Sequence, residues 1–229
     1  MPEDWSRAMA VVAHPDDLEY GAASAVARWT DQGKEVVYVL VTSGEAGIDG
    51  RPPEEVGPLR EAEERASAAA VGVDSVEFLG HPDGLVTYGV ALRADIAGAI
   101  RRHRPEVVLT MHFELTWGGV AVNHADHRAV GLATLDACRD AANRWLLPEL
   151  GEPWSGVTAA YVNAVPEPTH YVDVSASIDR GVASLREHRA YLDGLGAEFD
   201  PDAFLRGSAE GLGREVGCDF AVGFRRYEV

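Results

Sequence analysis

A chain of 229 residues that is 46% hydrophobic and 25% charged has the composition of a soluble globular protein large enough to bury one substantial core. Its formal net charge of -17 argues against nucleic acid or an anionic membrane surface as the main partner. The two cysteines have no CxxC or Cys/His spacing, and the acidic N-terminus precedes only a short apolar run. These features predict a cytoplasmic protein without a disulfide framework, a signal peptide or a transmembrane segment.

Short apolar runs alternate with longer, alanine-rich amphipathic segments through the first 147 residues. The apolar runs predict four strands, at 8–13, 35–42, 75–80 and 106–110. The amphipathic segments predict four helices, at 22–33, 57–71, 91–104 and 125–147. Such an alternation is typical of an α/β domain with a largely parallel sheet.

The alternation weakens beyond residue 147. The runs 157–165 and 170–174 predict a pair of strands, the segment 175–196 predicts a helix, and 219–229 predicts a final strand. We therefore expect one domain over residues 1–229. Its core would comprise residues 1–147, and residues 148–229 would form a small C-terminal β/α extension.

Unusual polar loops follow each of the first four predicted strands. They contain the sequences HPDD, TSGEAG, GHPDG and NHADH. Ligand sites of open α/β sheets lie outside the carboxyl ends of the strands. We therefore expect these four loops to meet at one edge of the sheet.

The first loop brings His14, Asp16 and Asp17 together directly after a buried strand. One interpretation is a simple turn, in which Pro15 restricts φ and an aspartate caps the next helix. The other is a divalent metal bound by His14 and one aspartate. The second carboxylate would then be free to take a proton from an attacking water, as hydrolysis requires.

The fourth loop adds His124 and His127, which helical spacing places on one face. Alone, such a pair is more readily interpreted as polar surface residues. Together with the first loop, it makes available two histidines and one carboxylate as metal ligands. Such a three-ligand set leaves one coordination position open, as in catalytic rather than structural zinc sites.

The segments AHPDDLE, TSGEAG, LREAEERASAAAVGV, HPDG and HADH resemble, in order and spacing, the LmbE/PIG-L family of zinc-dependent N-acetylglucosamine deacetylases. The resemblance covers roughly residues 8–140 and implies a Rossmann-like fold with the metal at the carboxyl ends of the strands. It implies that His14, Asp17 and His127 bind zinc, although another divalent metal is possible. It also implies that Asp16 is the general base.

Further roles follow from the same resemblance. His124 would stabilise the developing oxyanion or protonate the leaving amine, with Asp126 as its supporting partner. Arg60 and Asp83 align with residues that contact the sugar. For Arg60, an exposed charge on a helix surface is the alternative.

Two positions depart from the family pattern. Leu18 stands where many members have glutamate, and the neighbouring Glu19 is interpreted as a first-turn helix charge. After His188, Ala190 and Tyr191 replace a frequent Ser-Gln pair, which leaves the identity of the substrate open.

We therefore predict a zinc-dependent hydrolase that removes an N-acetyl or other acyl group from an amino sugar. One alternative is an amidase acting on mycothiol-type thiol conjugates, an activity found in the same family. A second is a metal-free module that binds a sugar or a nucleotide. In each case the expected partner is a small molecule, and a homo-oligomer is possible.

Overall fold

The computed structural model describes residues 1–195 and 199–229. Within these residues the strands are β1 (Arg7–Val12), β2 (Glu35–Leu40), β3 (Ser75–Phe78), β4 (Val107–Met111), β5 (Thr116–Trp117), β6 (Ala121–Val122), β7 (Ala159–Asn163), β8 (His170–Asp173) and β9 (Ala221–Glu228). The helices are α1 (Ala23–Asp31), α2 (Pro53–Ala70), α3 (Val90–His103), α4 (Ala125–Ala142), α5 (Ile178–Arg186), α6 (Arg189–Leu195) and α7 (Pro201–Val216). A short 3-10 helix spans Pro148–Leu150.

The central sheet has seven strands in the order β3-β2-β1-β4-β7-β9-β8. The five strands from β3 to β7 are parallel to their neighbours, whereas β9 runs antiparallel between β7 and β8. Strands β1 and β4 are almost entirely buried, as their continuous apolar runs require of strands covered on both faces. The predicted α/β fold with a largely parallel sheet is confirmed.

Helices α1, α2 and α5 pack together as one group, and α3 packs against α4 as another. Helix α2 begins four residues before the predicted start, with Pro53 at its first position, where proline's missing N–H costs no hydrogen bond.

Among the described residues, no helix combines the length and apolar character needed to cross a bilayer.

The C-terminal segment differs most from the prediction. The strands predicted as a pair, now β7 and β8, do not bond to each other, because β9 lies between them and bonds to both. The predicted helix 175–196 is two helices, α5 and α6, and its last residue, Gly196, lies outside the described residues. Helix α7 was not predicted, since its three glycines lower helix propensity.

The region after residue 147 continues the sheet, because β7 pairs in parallel with β4. The division of the chain into a core and an extension remains a prediction.

The carboxyl ends of β1 and β2 lie side by side in the sheet, with Val12 opposite Leu40. The backbone N–H of Thr42 then donates to the carbonyl of Ala13, so the loops after both strands leave the sheet at the same edge.

Candidate metal centre and active site

The loop after β1 is folded tightly by one of its own carboxylates. Asp17 Oδ2 accepts hydrogen bonds from the backbone N–H groups of Ala13, at 3.0 Å, and His14, at 2.8 Å. Between them, Asp16 has a φ of 96°, in the left-handed region that residues other than glycine rarely adopt. This backbone turn gives the adjacent carboxylates different partners: Asp16 contacts Arg60, and Asp17 contacts His127.

Three of the predicted metal ligands present their donor atoms to one another. His14 Nδ1 lies 3.2 Å from His127 Nε2, and His127 Nε2 lies 3.0 Å from Asp17 Oδ1. His14 Nδ1 lies 3.6 Å from the other Asp17 oxygen. Zinc bonds of 2.0–2.1 Å in tetrahedral geometry separate the ligand atoms by about 3.3 Å. The separations of His127 Nε2 from His14 Nδ1 and from Asp17 Oδ1 are close to this value, so the donor set fits a divalent metal ion.

The charges around His14 also favour a cation. Burial alone would raise the pKa of Asp17, but His127 and His14 hold that pKa well below its usual range, so this buried carboxylate stays ionised. Burial lowers the pKa of His14, yet hydrogen bonds to Asp126, Asp17 and Asp83 raise it well above its usual value. Three carboxylates thus surround one imidazole in a nearly closed site.

Asn123 fixes the orientation of His127. Its amide nitrogen donates to the backbone carbonyls of His112 and Glu114, both at 3.0 Å. The amide oxygen must then face His127, where it accepts a hydrogen bond from Nδ1 at 3.0 Å. With Nδ1 donating to Asn123, Nε2 of His127 is the ring atom that faces His14 and Asp17, and it would bind an ion through its lone pair once its own proton is lost. Asn123 lies within the NHADH motif, but sequence reasoning assigned it no role.

Asp126 and Asp83 orient His14 in the same way. His14 Nε2 lies 3.0 Å from Asp83 Oδ1 and 3.3 Å from Asp126 Oδ2, so its proton belongs on that side and Nδ1 is free to bind an ion. The fully buried Asp126 carboxylate also accepts hydrogen bonds from the N–H groups of Gly84 and Val86. The Asp126 carboxylate thus lies against His14, whereas its backbone N–H contacts His124. Support of His124 by Asp126 remains a prediction.

His124 is the N-cap of α4, and its Nδ1 accepts a hydrogen bond from the backbone N–H of Asp126 at 3.2 Å. In the neutral ring the proton is therefore on Nε2. Burial and the neighbouring His14 lower the pKa of His124, which favours this neutral form. The ring nitrogens of His14, His124 and His127 come within 4.8 Å of one another, so all three histidines lie around one possible ion position. The role of His124 beside that position remains a prediction.

Arg60 forms a buried ion pair with Asp16. It is 2% exposed, and its Nη2 lies 3.0 Å from Asp16 Oδ2. It also donates to the carbonyls of Pro15 and Gly44, which ties the loops after β1 and β2 together. The alternative of an exposed helix charge is therefore wrong. Burial raises the pKa of Asp16 to about 6, against the opposing effect of the Arg60 guanidinium.

A cavity of about 360 Å³, which we call the polar pocket, opens beside these residues and is lined by Asp16, Arg60 and Asp83 among others. Asp83 Oδ2 accepts a hydrogen bond from the N–H of Ala46 at 2.9 Å, so both of its oxygens are engaged. Tyr191, a departure from the family pattern, also lines the pocket and stacks over Arg60 at 4.5 Å. Contact of Arg60 and Asp83 with a sugar remains a prediction.

A second buried cluster, missed from the sequence, lies behind Asp16. His188 Nε2 is 3.7 Å from Glu19 Oε2 and 3.6 Å from Glu64 Oε2. Glu64 also accepts a hydrogen bond from the Asp16 backbone N–H at 3.3 Å. Glu19 is 1% exposed and precedes the start of α1, so its interpretation as a first-turn helix charge is wrong. Burial and the charge of Glu19 raise the pKa of Glu64 well above its usual value.

Trp117 lies in the hairpin formed by β5 and β6, near the metal ligands. Its ring centroid is 4.7 Å from that of His112 and 6.2 Å from that of His127. The side chain is about one-third exposed and lines a cavity beside the ligands.

Comparisons with known proteins agree with the fold and motifs. The family model described as PIG-L, GlcNAc-PI de-N-acetylase, matches residues 9–138. Diacetylchitobiose deacetylase from Thermococcus kodakarensis is 29% identical, over 97% of this chain and 83% of its own. A 1D-myo-inositol 2-acetamido-2-deoxy-alpha-D-glucopyranoside deacetylase 2 from Saccharopolyspora erythraea is 32% identical, over 64% of this chain and 61% of its own.

A solved structure extends the likeness to the whole chain. N,N'-diacetylchitobiose deacetylase from Pyrococcus horikoshii has a TM-score of 0.87 and 24% identity, covering 99% of this chain and 85% of that one. At this level of identity the match shows a shared fold.

Asn123→Ala should weaken zinc binding about 10- to 100-fold, because His127 loses the acceptor that keeps Nε2 unprotonated. The measurement is the apparent zinc Kd from competition with a chromophoric chelator. Asn143→Ala, in the exposed residue after α4, is the matched control and should bind zinc as the parent does. An unchanged Kd in Asn123→Ala would refute this orienting role.

His188→Leu should lower the free energy of unfolding by about 2 kcal/mol or more, because two buried carboxyl groups lose the imidazole that lies between them. Urea denaturation of the metal-free protein measures this loss. Adding Glu64→Gln to His188→Leu should restore part of the stability. The control His81→Ala breaks a partly exposed pair with Asp95 and should cost less than about 1 kcal/mol. Equal losses in the two single variants would contradict the prediction.

Proposed function

The chain belongs to the PIG-L family of GlcNAc-PI de-N-acetylases, and on that premise we propose that it is a metal-dependent hydrolase that removes an N-acyl group from an amino sugar. The observation that carries the proposal is the convergence of His14 Nδ1, His127 Nε2 and the Asp17 carboxylate, with Asp16 beside them but bonded elsewhere. One carboxylate is thus available as a ligand and the other as a base.

Zinc is the metal that this donor set suits best. Two imidazoles and one carboxylate are a usual ligand set of catalytic zinc sites, in which a further position stays open. When bound, zinc would supply Lewis acidity, lowering the pKa of a water molecule to about 7 and polarising an amide carbonyl.

Asp16 is assigned the role of general base. Its carboxylate lines the polar pocket next to the ligands, and Arg60 keeps it in place at 3.0 Å. The pKa of about 6 leaves Asp16 mostly ionised at neutral pH and able to return the proton to a leaving amine. A base whose pKa lies close to the working pH transfers protons efficiently in both directions.

His124 is assigned the stabilisation of the oxyanion. Because Nδ1 is held by a backbone N–H, the Nε2 proton is available to a carbonyl oxygen in the polar pocket. The backbone of α4 fixes the ring before substrate binds, so little reorganisation is needed as charge develops. Protonation of the leaving amine, the other role considered for His124, is better suited to Asp16.

The proposed substrate is an N-acetylated amino sugar or a closely related N-acyl derivative. The names of both curated relatives describe deacetylases of compounds that contain such a sugar. A thiol-conjugate amidase would use the same residues and is the nearest alternative. A metal-free binding module would not account for the convergence of the three ligand atoms. The cytoplasmic location and the oligomeric state remain predictions.

Asp16→Asn should retain stoichiometric zinc and reduce kcat by about 10²- to 10⁴-fold, because the amide cannot accept the proton of water. His127→Ala should lose both zinc and activity, since it removes a ligand atom. Metal analysis of each purified variant, together with amine release, separates the two effects. Asp95→Asn, on an exposed part of α3, is the control. Full turnover in Asp16→Asn would exclude it as the base.

The proposal as a whole is tested by a substrate screen with zinc-loaded protein. The panel should contain diacetylchitobiose, N-acetylglucosaminyl-inositol and a thiol-conjugate amide, with free amine as the readout. Release from the amino sugars is the expected result. Release from the thiol conjugate alone would favour the amidase. No release, with no bound metal in the purified protein, would favour the binding module.

A further inference from the structure

A second cavity meets the polar pocket at the metal ligands. This cavity of about 290 Å³, which we call the apolar pocket, shares Asp17, Tyr20 and His127 with the polar pocket. Its remaining walls are Met111, Trp117, Ala164 and Phe204. The two pockets therefore lie on either side of the position where a scissile bond would be held, and they differ in chemistry.

The positions of the proton-transferring groups orient a substrate across this boundary. Asp16 and His124 line the polar pocket, and a leaving amine must lie near a group that can protonate it. The amino sugar, with its hydroxyl groups, therefore belongs on the polar side. The acyl carbon is bonded to that amine, so the remainder of the acyl group extends towards the walls formed by Met111 and Phe204.

The apolar pocket is much larger than an acetyl group needs. If each methylene takes about the 30 Å³ that a water molecule occupies in the liquid, the pocket has room for roughly nine or ten such groups. Tyr20 and Phe204, whose ring centroids are 5.6 Å apart, provide aromatic walls along it. Such walls give an alkyl chain an extended contact surface.

The apolar path continues past this cavity. A further cavity of about 270 Å³ adjoins it at Tyr20, Ala164 and Phe204 and runs along α7 beside β9. Leu205, Leu212 and Val222 line this continuation. A chain longer than the first cavity can therefore remain in contact with apolar side chains.

Building on the proposed function, we infer that this enzyme prefers amino sugars that carry a medium-chain aliphatic acyl group, of about six to nine carbons, over acetylated ones. Hydrolysis forms a C–O bond with water and breaks the amide C–N bond, which releases a fatty acid and the free amino sugar. The metal ligands and Asp16 act as for acetyl, and the apolar pocket sets the specificity.

The test compares N-acetyl-, N-butanoyl- and N-octanoyl-glucosamine as substrates of the zinc-loaded protein, with glucosamine release as the readout. Burial of a methylene favours binding by about fourfold when complete, so kcat/KM should rise at least tenfold from acetyl to octanoyl. Phe204→Trp, which narrows the pocket, should reduce the octanoyl-to-acetyl ratio at least fivefold. A kcat/KM that falls steadily as the chain lengthens would overturn the inference.

Val216→Ala is the matched control for Phe204. Both side chains lie on α7 and are 44% exposed, but Val216 lines neither pocket. The control should leave the octanoyl-to-acetyl ratio unchanged. An equal loss of the ratio in both variants would mean that helix α7, rather than the pocket wall, determines the preference, and would overturn the inference.

A binding measurement separates this inference from the proposed function. Calorimetric titration of Asp16→Asn with N-octanoyl- and N-acetyl-glucosamine should give a Kd at least tenfold lower for the octanoyl compound. Equal Kd values for the octanoyl and acetyl compounds would overturn the assignment of the acyl chain to the apolar pocket, even if the parent enzyme cleaves N-acetyl-glucosamine. Tighter octanoyl binding without amine release from any compound by the parent enzyme would support the pocket but reject the hydrolase.

Discussion

The concentration of negative charge at the carboxyl end of β1 is the constraint on which the site depends. The carboxylates of Asp17, Asp83 and Asp126 all lie within 3.6 Å of a ring nitrogen of His14. Buried carboxylates at such separations repel one another and are costly unless a cation lies among them. A divalent ion at His14 and His127 would relieve that cost, which is why we propose a metal centre where these anionic loops meet.

The same constraint explains how two adjacent aspartates acquire different roles. The left-handed conformation of Asp16 turns its side chain towards Arg60, while Asp17 closes the turn through two backbone N–H groups and faces His127. An arginine buried beneath the loop is therefore as much a part of the site as the ligands. Its guanidinium compensates the charge of the Asp16 carboxylate, to which we assign the exchange of a proton.

Local sequence patterns predicted the first four strands and the helices that follow them, because buried parallel strands and amphipathic helices leave clear apolar periodicities. They failed where structure depends on distant partners. The pattern of β7 and β8 showed two strands, but their common neighbour β9 lies some 50 residues further along the chain. Helix α7 was not predicted because its glycines have a low helix propensity. Packing of α7 against α5 and β9 overcomes that low propensity.

The sequence by itself determined which chemical groups are present and at what spacing, and so the family. The ligand set and the base that it indicates remain predictions. Only the tertiary structure decided how these groups are paired. It buries Arg60 against Asp16 and places the Asp126 carboxylate against His14. It also places Asn123 where its amide oxygen orients His127, and it forms an apolar cavity beside the proposed ligands. Such pairings join residues more than 40 positions apart, or depend on the exact direction of a side chain, and no local periodicity encodes either. Packing of the whole chain creates them.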